Sequence, residues 1–196
     1  MVLKSGKYQA VVIGVSAGGI TALENILPVF PEGCRLSILI VQHMASGGEN
    51  YLVQHFNSRC SLPVREACDK EMIKSGTIYF APADYHLLVE QQKTLALSAE
   101  AKVNYSRPSI DVLFQTAAEV YCERLVGVVL TGANADGAAG LARVQELGGL
   151  TVVQSPETAE VDTMPKAAIK ETRVDHILPL VEIGKFLAAL NDDEEE

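Results

Sequence analysis

Apolar positions along the chain follow two rhythms. Short runs of Val, Ile and Leu, in "YQAVVIGV", "LSILIV", "LVGVVL" and "LTVVQ", are each bounded by glycine, proline or polar residues. Such runs read as strands buried on both faces. Between the first two, "GGITALENILPVFP" spaces Ile20, Leu23, Ile26 and Leu27 as a helix does, and Pro28 and Pro31 end it. Strand, helix and strand in that order make a right-handed β-α-β crossover. Repeated, it builds a doubly wound α/β domain, a mostly parallel sheet with helices on both faces.

The rhythm changes between residues 77 and 98. There "TIYFAP", "HLLVEQ" and "TLALSA" read as three short strands of an antiparallel meander inserted at the sheet edge. From "SRPSIDVLFQTAAEVYC" the helix and strand alternation resumes. Pro108 and Ser109 open a helix with Ile110, Leu113, Phe114, Ala117 and Ala118 on its apolar face. The segment "ADGAAGLARVQELGG" predicts a second helix closed by Gly148 and Gly149. After the loop "SPETAEVDTM", Pro165 primes a short helix, and "HILPL" and "VEIGKFLAAL" supply a last strand and helix.

A chain of 196 residues that is 48% apolar supports one core, so a single domain over residues 1–190 is expected. The net charge of −9 includes five acids at the end, Asp192 to Glu196, and residues 191–196, "NDDEEE", read as a solvated, disordered tail. The remaining body is mildly acidic with no basic patch, which argues against a nucleic-acid partner. No apolar run approaches the roughly 20 residues of a membrane span, so no membrane insertion is expected. Cys34, Cys60, Cys68 and Cys122 lack C-x-x-C spacing and no leader precedes the first strand, which points to reduced thiols and a cytoplasmic location. Cys68, between Glu66 and Asp69, reads as a packing residue rather than a ligand, and no metal site is expected.

The chemistry centres on "GVSAGG". Ser16 between Gly14 and Gly18 fits a nucleophile elbow, G-x-S-x-G, and also a glycine-rich phosphate loop at a helix start. A serine nucleophile needs a base, and the base needs a group to orient it. His43 stands at the carboxyl end of "LSILIVQHM", on the rim where open α/β sheets bind ligands, whereas His55, His86 and His176 sit within or beside other elements. Asp136 follows the strand "LVGVVL" on the same rim. Taken singly, Ser16 also suits a phosphate turn, His43 a structural role and Asp136 the N-cap of its own helix. A dinucleotide loop calls for an acid about 20 residues further on, and residues 36–42 contain none.

In this order and at these separations, "GVSAGG", "VQHM", "RPSIDVLF", "LTGANADGAAGL" and "VVQSPETAEVDTMPKAA" closely resemble the catalytic domain of the chemotaxis protein-glutamate methylesterases, the CheB family, over about residues 8–190. The resemblance implies a cofactor-free serine hydrolase that removes methyl esters from glutamates on the cytoplasmic domains of methyl-accepting chemotaxis receptors and deamidates certain glutamines there. It implies Ser16 as nucleophile, His43 as general base and Asp136 as the orienting acid. The N–H of Ala17, directly after the nucleophile, is the first choice of oxyanion donor. Ala133 stands where the family usually has a methionine linked to the oxyanion hole, and Ser106 where it commonly has histidine. Arg107 is assigned a substrate-side role, and Met164 with Pro165 matches a loop near the family's site, with Thr163 in place of the usual glycine. Family members often carry an amino-terminal receiver domain; this chain reads as the catalytic domain alone, either free-standing or part of a longer protein. Residues 44–50, with "ASGGEN", and 155–165 are the expected substrate-facing rims. Two alternatives remain at this point: a receptor-docking module without activity, favoured by Ala133, and a phosphate- or nucleotide-binding module.

Overall fold

The computed structural model describes residues 7–43 and 51–191. The expected glycine-rich rim at 44–50 and residues 192–196 of the expected tail lie outside the described residues; Asn191, expected to begin that tail, is instead held in the structure, its Oδ1 accepting the Arg35 N–H at 2.7 Å. The strands are β1 (Ala10–Val15), β2 (Ser37–Gln42), β3 (Val64–Glu66), β4 (Ile78–Phe80), β5 (His86–Val89), β6 (Leu95–Ser98), β7 (Leu125–Val129), β8 (Leu150–Gln154) and β9 (His176–Leu178). The helices are α1 (Gly19–Ile26), α2 (Tyr51–Asn57), α3 (Ile110–Tyr121), α4 (Ala138–Glu146), α5 (Thr163–Glu171) and α6 (Leu180–Ala189).

Among the described residues, seven strands form one parallel sheet in the order β3-β4-β2-β1-β7-β8-β9. The chain winds outward from β1 on one side and then returns to build the other, so its direction reverses beside β1. That reversal opens a crevice at the carboxyl ends of β1, β2 and β7. Alternate strand residues feed two cores. Val11, Ile13, Ile38 and Ile40 pack with Leu23 and Ile26 of α1 and Leu187 of α6, while Val12, Leu39 and Val129 pack with Leu113 and Phe114 of α3 and Leu141 of α4. The three layers, helices over sheet over helices, match the doubly wound class expected from the β-α-β rhythm.

The middle of the chain corrects one expectation. Only β5 and β6 form an antiparallel pair, and they make a separate two-stranded sheet. The run expected as the first meander strand is β4, which lies inside the main sheet and pairs parallel with β2 and β3. Ile78, Tyr79 and Phe80 are all buried, the signature of a strand covered on both faces rather than of a half-exposed edge. The edge itself is β3, a three-residue strand in "LPVREA" with too short an apolar run to be seen from periodicity.

A glycine couples sheet to helix near the crevice. Gly14 lies in β1, and a Cβ there would collide with the side chain of Ile110, the first residue of α3. The missing side chain therefore sets how closely α3 approaches the end of β1. Gly14→Ala is expected to push α3 outward and cost about 1–3 kcal/mol, the range for overpacking a well-filled core. Urea unfolding of the variant checks this; an unchanged midpoint would mean that α3 does not depend on this contact.

Candidate active site

The elbow at Ser16 is built by backbone bonds from three strand ends. The Ser16 N–H donates to Thr131 O at 3.0 Å beyond β7, and the Gly19 N–H returns to Ser16 O at 2.9 Å to start α1. Gly18 provides the reversal at φ 76°, a left-handed conformation that glycine adopts without penalty. Register places His43 beside this turn. Val15 pairs with Gln42, so Ser16 and His43 are each one residue past neighbouring strand ends, and the His43 N–H donates to Val15 O at 3.0 Å. The Gln42 side chain stitches the two together, its amide donating to Ser16 O at 3.0 Å and to His43 O at 2.8 Å. Its oxygen is buried, lies against Gly19 and has no partner among the described residues. Ser16 and His43 are both half-buried.

The acid reaches His43 from the other face of the crevice. His43 Nε2 lies 2.9 Å from Asp136 Oδ2, with Asp136 fully buried. Asp136 is not the cap of its own helix: Gly137 is the N-cap residue of α4 at φ 98° and has no side chain of its own to cap it. The carboxylate instead faces the amino end of α3. It accepts the N–H of Ile110 at 2.7 Å, the N–H of Asp111 at 3.1 Å and the Ser109 hydroxyl at 2.8 Å. Burial pushes its pKa up, but the bonds from His43, Ile110, Asp111 and Ser109 outweigh burial, and the carboxyl is held below the usual range. Asp111 returns the arrangement, accepting the N–H groups of Gly137 at 2.9 Å and Gly140 at 2.7 Å at the start of α4. Each helix thus lends a carboxylate to the amino end of the other, where the helix dipole favours negative charge. Burial raises the pKa of Asp111, against the Gly140 and Gly137 N–H groups and the Asn104 amide, which favour its charged form, and with the nearby Asp136 charge pushing the same way as burial.

With Nε2 committed to Asp136, Nδ1 is the imidazole nitrogen left for a substrate-side proton. Its contact is Asn134 Nδ2 at 3.3 Å, and the Asn134 carbonyl oxygen accepts the Asp136 N–H at 3.0 Å. Ser16 Oγ makes no hydrogen bond among the described residues, and serine–histidine bonds in unliganded sites are often long. The N–H groups of Ala17 and Ala133 have no acceptor among the described residues. Ala17 follows Ser16 directly and Ala133 follows Gly132, which lies against Ser16: a Cβ on Gly132 would lie 2.9 Å from the Ser16 Cβ, and the Thr131 hydroxyl bonds Ala17 O at 2.9 Å. Met164 is buried against that same Gly132 face, and its N–H donates to Gly132 O at 3.0 Å. Arg107 Nη1 donates to the carbonyls of Ala99 at 2.8 Å and Glu100 at 3.0 Å, pinning the segment after β6.

The other histidines have partners of their own. His86 is buried, with Nε2 at 3.0 Å from Ala101 O and Nδ1 accepting the Ser109 N–H at 3.2 Å, and His55 pairs with Glu24 at 2.7 Å. Sequence reasoning missed Gln42, Asn104, Asp111 and Asn134. The pattern S-x-D after Arg107-Pro108 is the available signal for Asp111, since an acid in the first turn of a helix is common; the two asparagines carry no comparable pattern. Among the described residues no group of three or more His, Cys, Asp or Glu side chains could hold a metal, and no helix is long and apolar enough to cross a membrane.

Comparison with known proteins points the same way. A family model described as CheB methylesterase matches residues 11–187. A Leptospira interrogans protein named provisionally as a protein-glutamate methylesterase/protein-glutamine glutaminase is 49% identical over 189 residues, covering 96% of this chain and 98% of that one. A Thermotoga maritima protein named protein-glutamate methylesterase/protein-glutamine glutaminase is 38% identical over 189 residues, covering 95% of this chain and 54% of its own length. The chain thus spans about half the length of that relative. The crystal structure of the Thermotoga maritima CheB methylesterase catalytic domain superposes with a TM-score of 0.89 at 36% identity, covering 93% of this chain and 98% of that one.

The depressed Asp136 pKa carries a stability signature. A carboxylate whose folded pKa lies below its unfolded value stabilises the fold above the unfolded value, about 3.9, and loses that contribution as pH falls through the folded value. Asp136→Asn removes the effect, so the stability gap between the native protein and the variant is expected to narrow as pH falls from about 6 to about 2. Urea unfolding at stepped pH checks this, and a gap independent of pH would contradict it.

Proposed function

The chain belongs to the CheB methylesterase family, and on that premise we propose that it is a serine esterase that hydrolyses γ-glutamyl methyl esters on methyl-accepting chemotaxis receptors, in sensory adaptation, with deamidation of receptor glutamines as the companion reaction. The observation that carries this reading is the bond between His43 Nε2 and the buried Asp136 carboxylate, beside a serine elbow with two uncommitted backbone N–H groups.

The neutral imidazole donates its Nε2 proton to Asp136 and keeps a lone pair on Nδ1. As Ser16 Oγ attacks the ester carbonyl, Nδ1 takes the hydroxyl proton and the new C–O bond places negative charge on the carbonyl oxygen. The N–H groups of Ala17 and Ala133 receive that oxyanion. On this reading Ala133 serves through its backbone, so alanine in place of the family's methionine keeps the donor. The imidazolium is stabilised by Asp136, whose bonds to the end of α3 hold it ionised. Collapse of the intermediate breaks the bond to methoxide, which leaves as methanol with the proton from Nδ1. Water then attacks the acyl-serine by the same relay, releasing a glutamate carboxylate and restoring Ser16. With glutamine the leaving group is ammonia and the product is the same. No metal or organic cofactor enters these steps.

Ser16→Ala is expected to lower methanol release from membranes bearing methylated chemoreceptors by at least about 10⁴-fold, while the circular dichroism spectrum and thermal midpoint hold. Radiolabelled methanol in the vapour phase is the readout. Undiminished release by the variant would overturn the assignment.

A further inference from the structure

The turn at residues 103–106 carries a feature that folding does not call for. Val103 and Ser106 close a two-residue turn through two backbone bonds, Ser106 N to Val103 O at 2.8 Å and Val103 N to Ser106 O at 3.1 Å. Both central residues are left-handed, Asn104 at φ 49° and Tyr105 at φ 63°. Asparagine suits the first position, and glycine is the usual occupant of the second. A tyrosine there is strained, on the order of 1 kcal/mol, and it gains nothing from burial, because it is 97% exposed.

The turn is nonetheless held rigidly beside the site. The Asn104 amide donates to Asp111 Oδ2 at 2.7 Å and to Asp136 Oδ1 at 3.3 Å, so the residue before Tyr105 is bonded to the acid that orients His43. On its other side, Arg107 is fastened to the carbonyls of Ala99 and Glu100. Val103 is also exposed, as is Tyr85, which precedes the His86 that bonds Ala101 and Ser109. An exposed tyrosine on a held backbone has only two side-chain torsions to fix on binding, so it offers a large contact area at low entropy cost, which is why tyrosine is favoured at protein interfaces.

We propose that the 103–106 turn is the substrate-recognition prong of this site: Tyr105 packs on the polypeptide surface next to the esterified glutamate, and Asn104 couples the prong to Asp136. The inference rests on the esterase reading and names the part of the site that grips the protein rather than the ester. A small methyl ester needs only the crevice; a protein substrate also engages the ring.

The test compares a methylated chemoreceptor cytoplasmic fragment with a small ester, N-acetylglutamate γ-methyl ester, on the full chain. Tyr105→Gly is expected to fold with an equal or higher thermal midpoint, since it relieves the left-handed strain. It should raise KM for the receptor fragment about 10-fold with kcat unchanged, and leave small-ester turnover alone. Tyr105→Phe should restore the receptor KM, and Met72→Ser, at another exposed apolar side chain, should leave it unaltered. Asn104→Ala should lower kcat on both substrates, as expected of a positioning residue that acts through Asp136. An unchanged receptor KM in Tyr105→Gly overturns the proposal. Absence of any Ser16-dependent turnover of either ester would instead sink the esterase reading on which it rests.

Discussion

The buried carboxylate of Asp136 is the junction on which the rest of this structure depends. A charge with no exposure to solvent is costly unless every lone pair is used. Here the two oxygens gather donors from His43, Ser109, Ile110, Asp111 and Asn104. Two of those donors are N–H groups in the first turn of α3 and a third is the hydroxyl of its N-cap residue, Ser109; the unpaired N–H groups and the dipole of that helix end supply a fixed positive potential. The carboxylate that orients the base is therefore also the group that completes a helix. Losing it would unmake a helix terminus and the contact that orients His43 together.

Asp111 makes the arrangement reciprocal, and its energetics run the other way. Its folded pKa is raised, so the native state binds its proton more readily than the unfolded chain, and its contribution to stability falls as pH rises between the unfolded and folded values. Asp136 has the opposite sign. Two like charges this close repel, and the pair is tolerable because each sits on the amino end of the other's helix and Asn104 donates to both. The strain of the pair is located beside the chemistry, where a rigid, preorganised acid is of most use. Gly14 extends the same logic into the sheet, since only a residue without a side chain lets Ile110, and with it the α3 N–H groups, approach the end of β1.

How much of this was legible in the sequence follows from which interactions are local. Ser16, His43 and Asp136 could be placed on one rim because each follows a buried, β-branched run, and a parallel sheet brings such ends together. The doubly wound fold was legible for the same reason. The meander was misread because "TIYFAP", "HLLVEQ" and "TLALSA" look alike as short apolar runs, and nothing local separates a strand buried on both faces from one in a hairpin. Asp136 read singly as the cap of its own helix is the local reading; the observed cap is long-range, given to α3 some 25 residues earlier in the chain. Asn104 and Asn134 were invisible for a further reason: amides that serve by bridging two distant groups leave no periodic or spacing signal.

The orientation of His43 has a consequence for how the unliganded site rests. Because Nε2 is used by Asp136, the basic lone pair is on Nδ1, and the Asn134 amide donates to it while its own carbonyl holds the Asp136 N–H. At 3.3 Å that bond is long and weak compared with the 2.9 Å bond on the other side of the ring. A weak donor facing Nδ1 suits the tautomer that carries its proton on Nε2, yet yields to a hydroxyl that approaches more closely. His43 Nδ1 thus has a partner in the unliganded site, and one that is released at little cost. The acid side of the ring is held by the helix, the base side only loosely by an asparagine, and that asymmetry leaves the ring fixed in direction while its reactive nitrogen remains free to exchange partners.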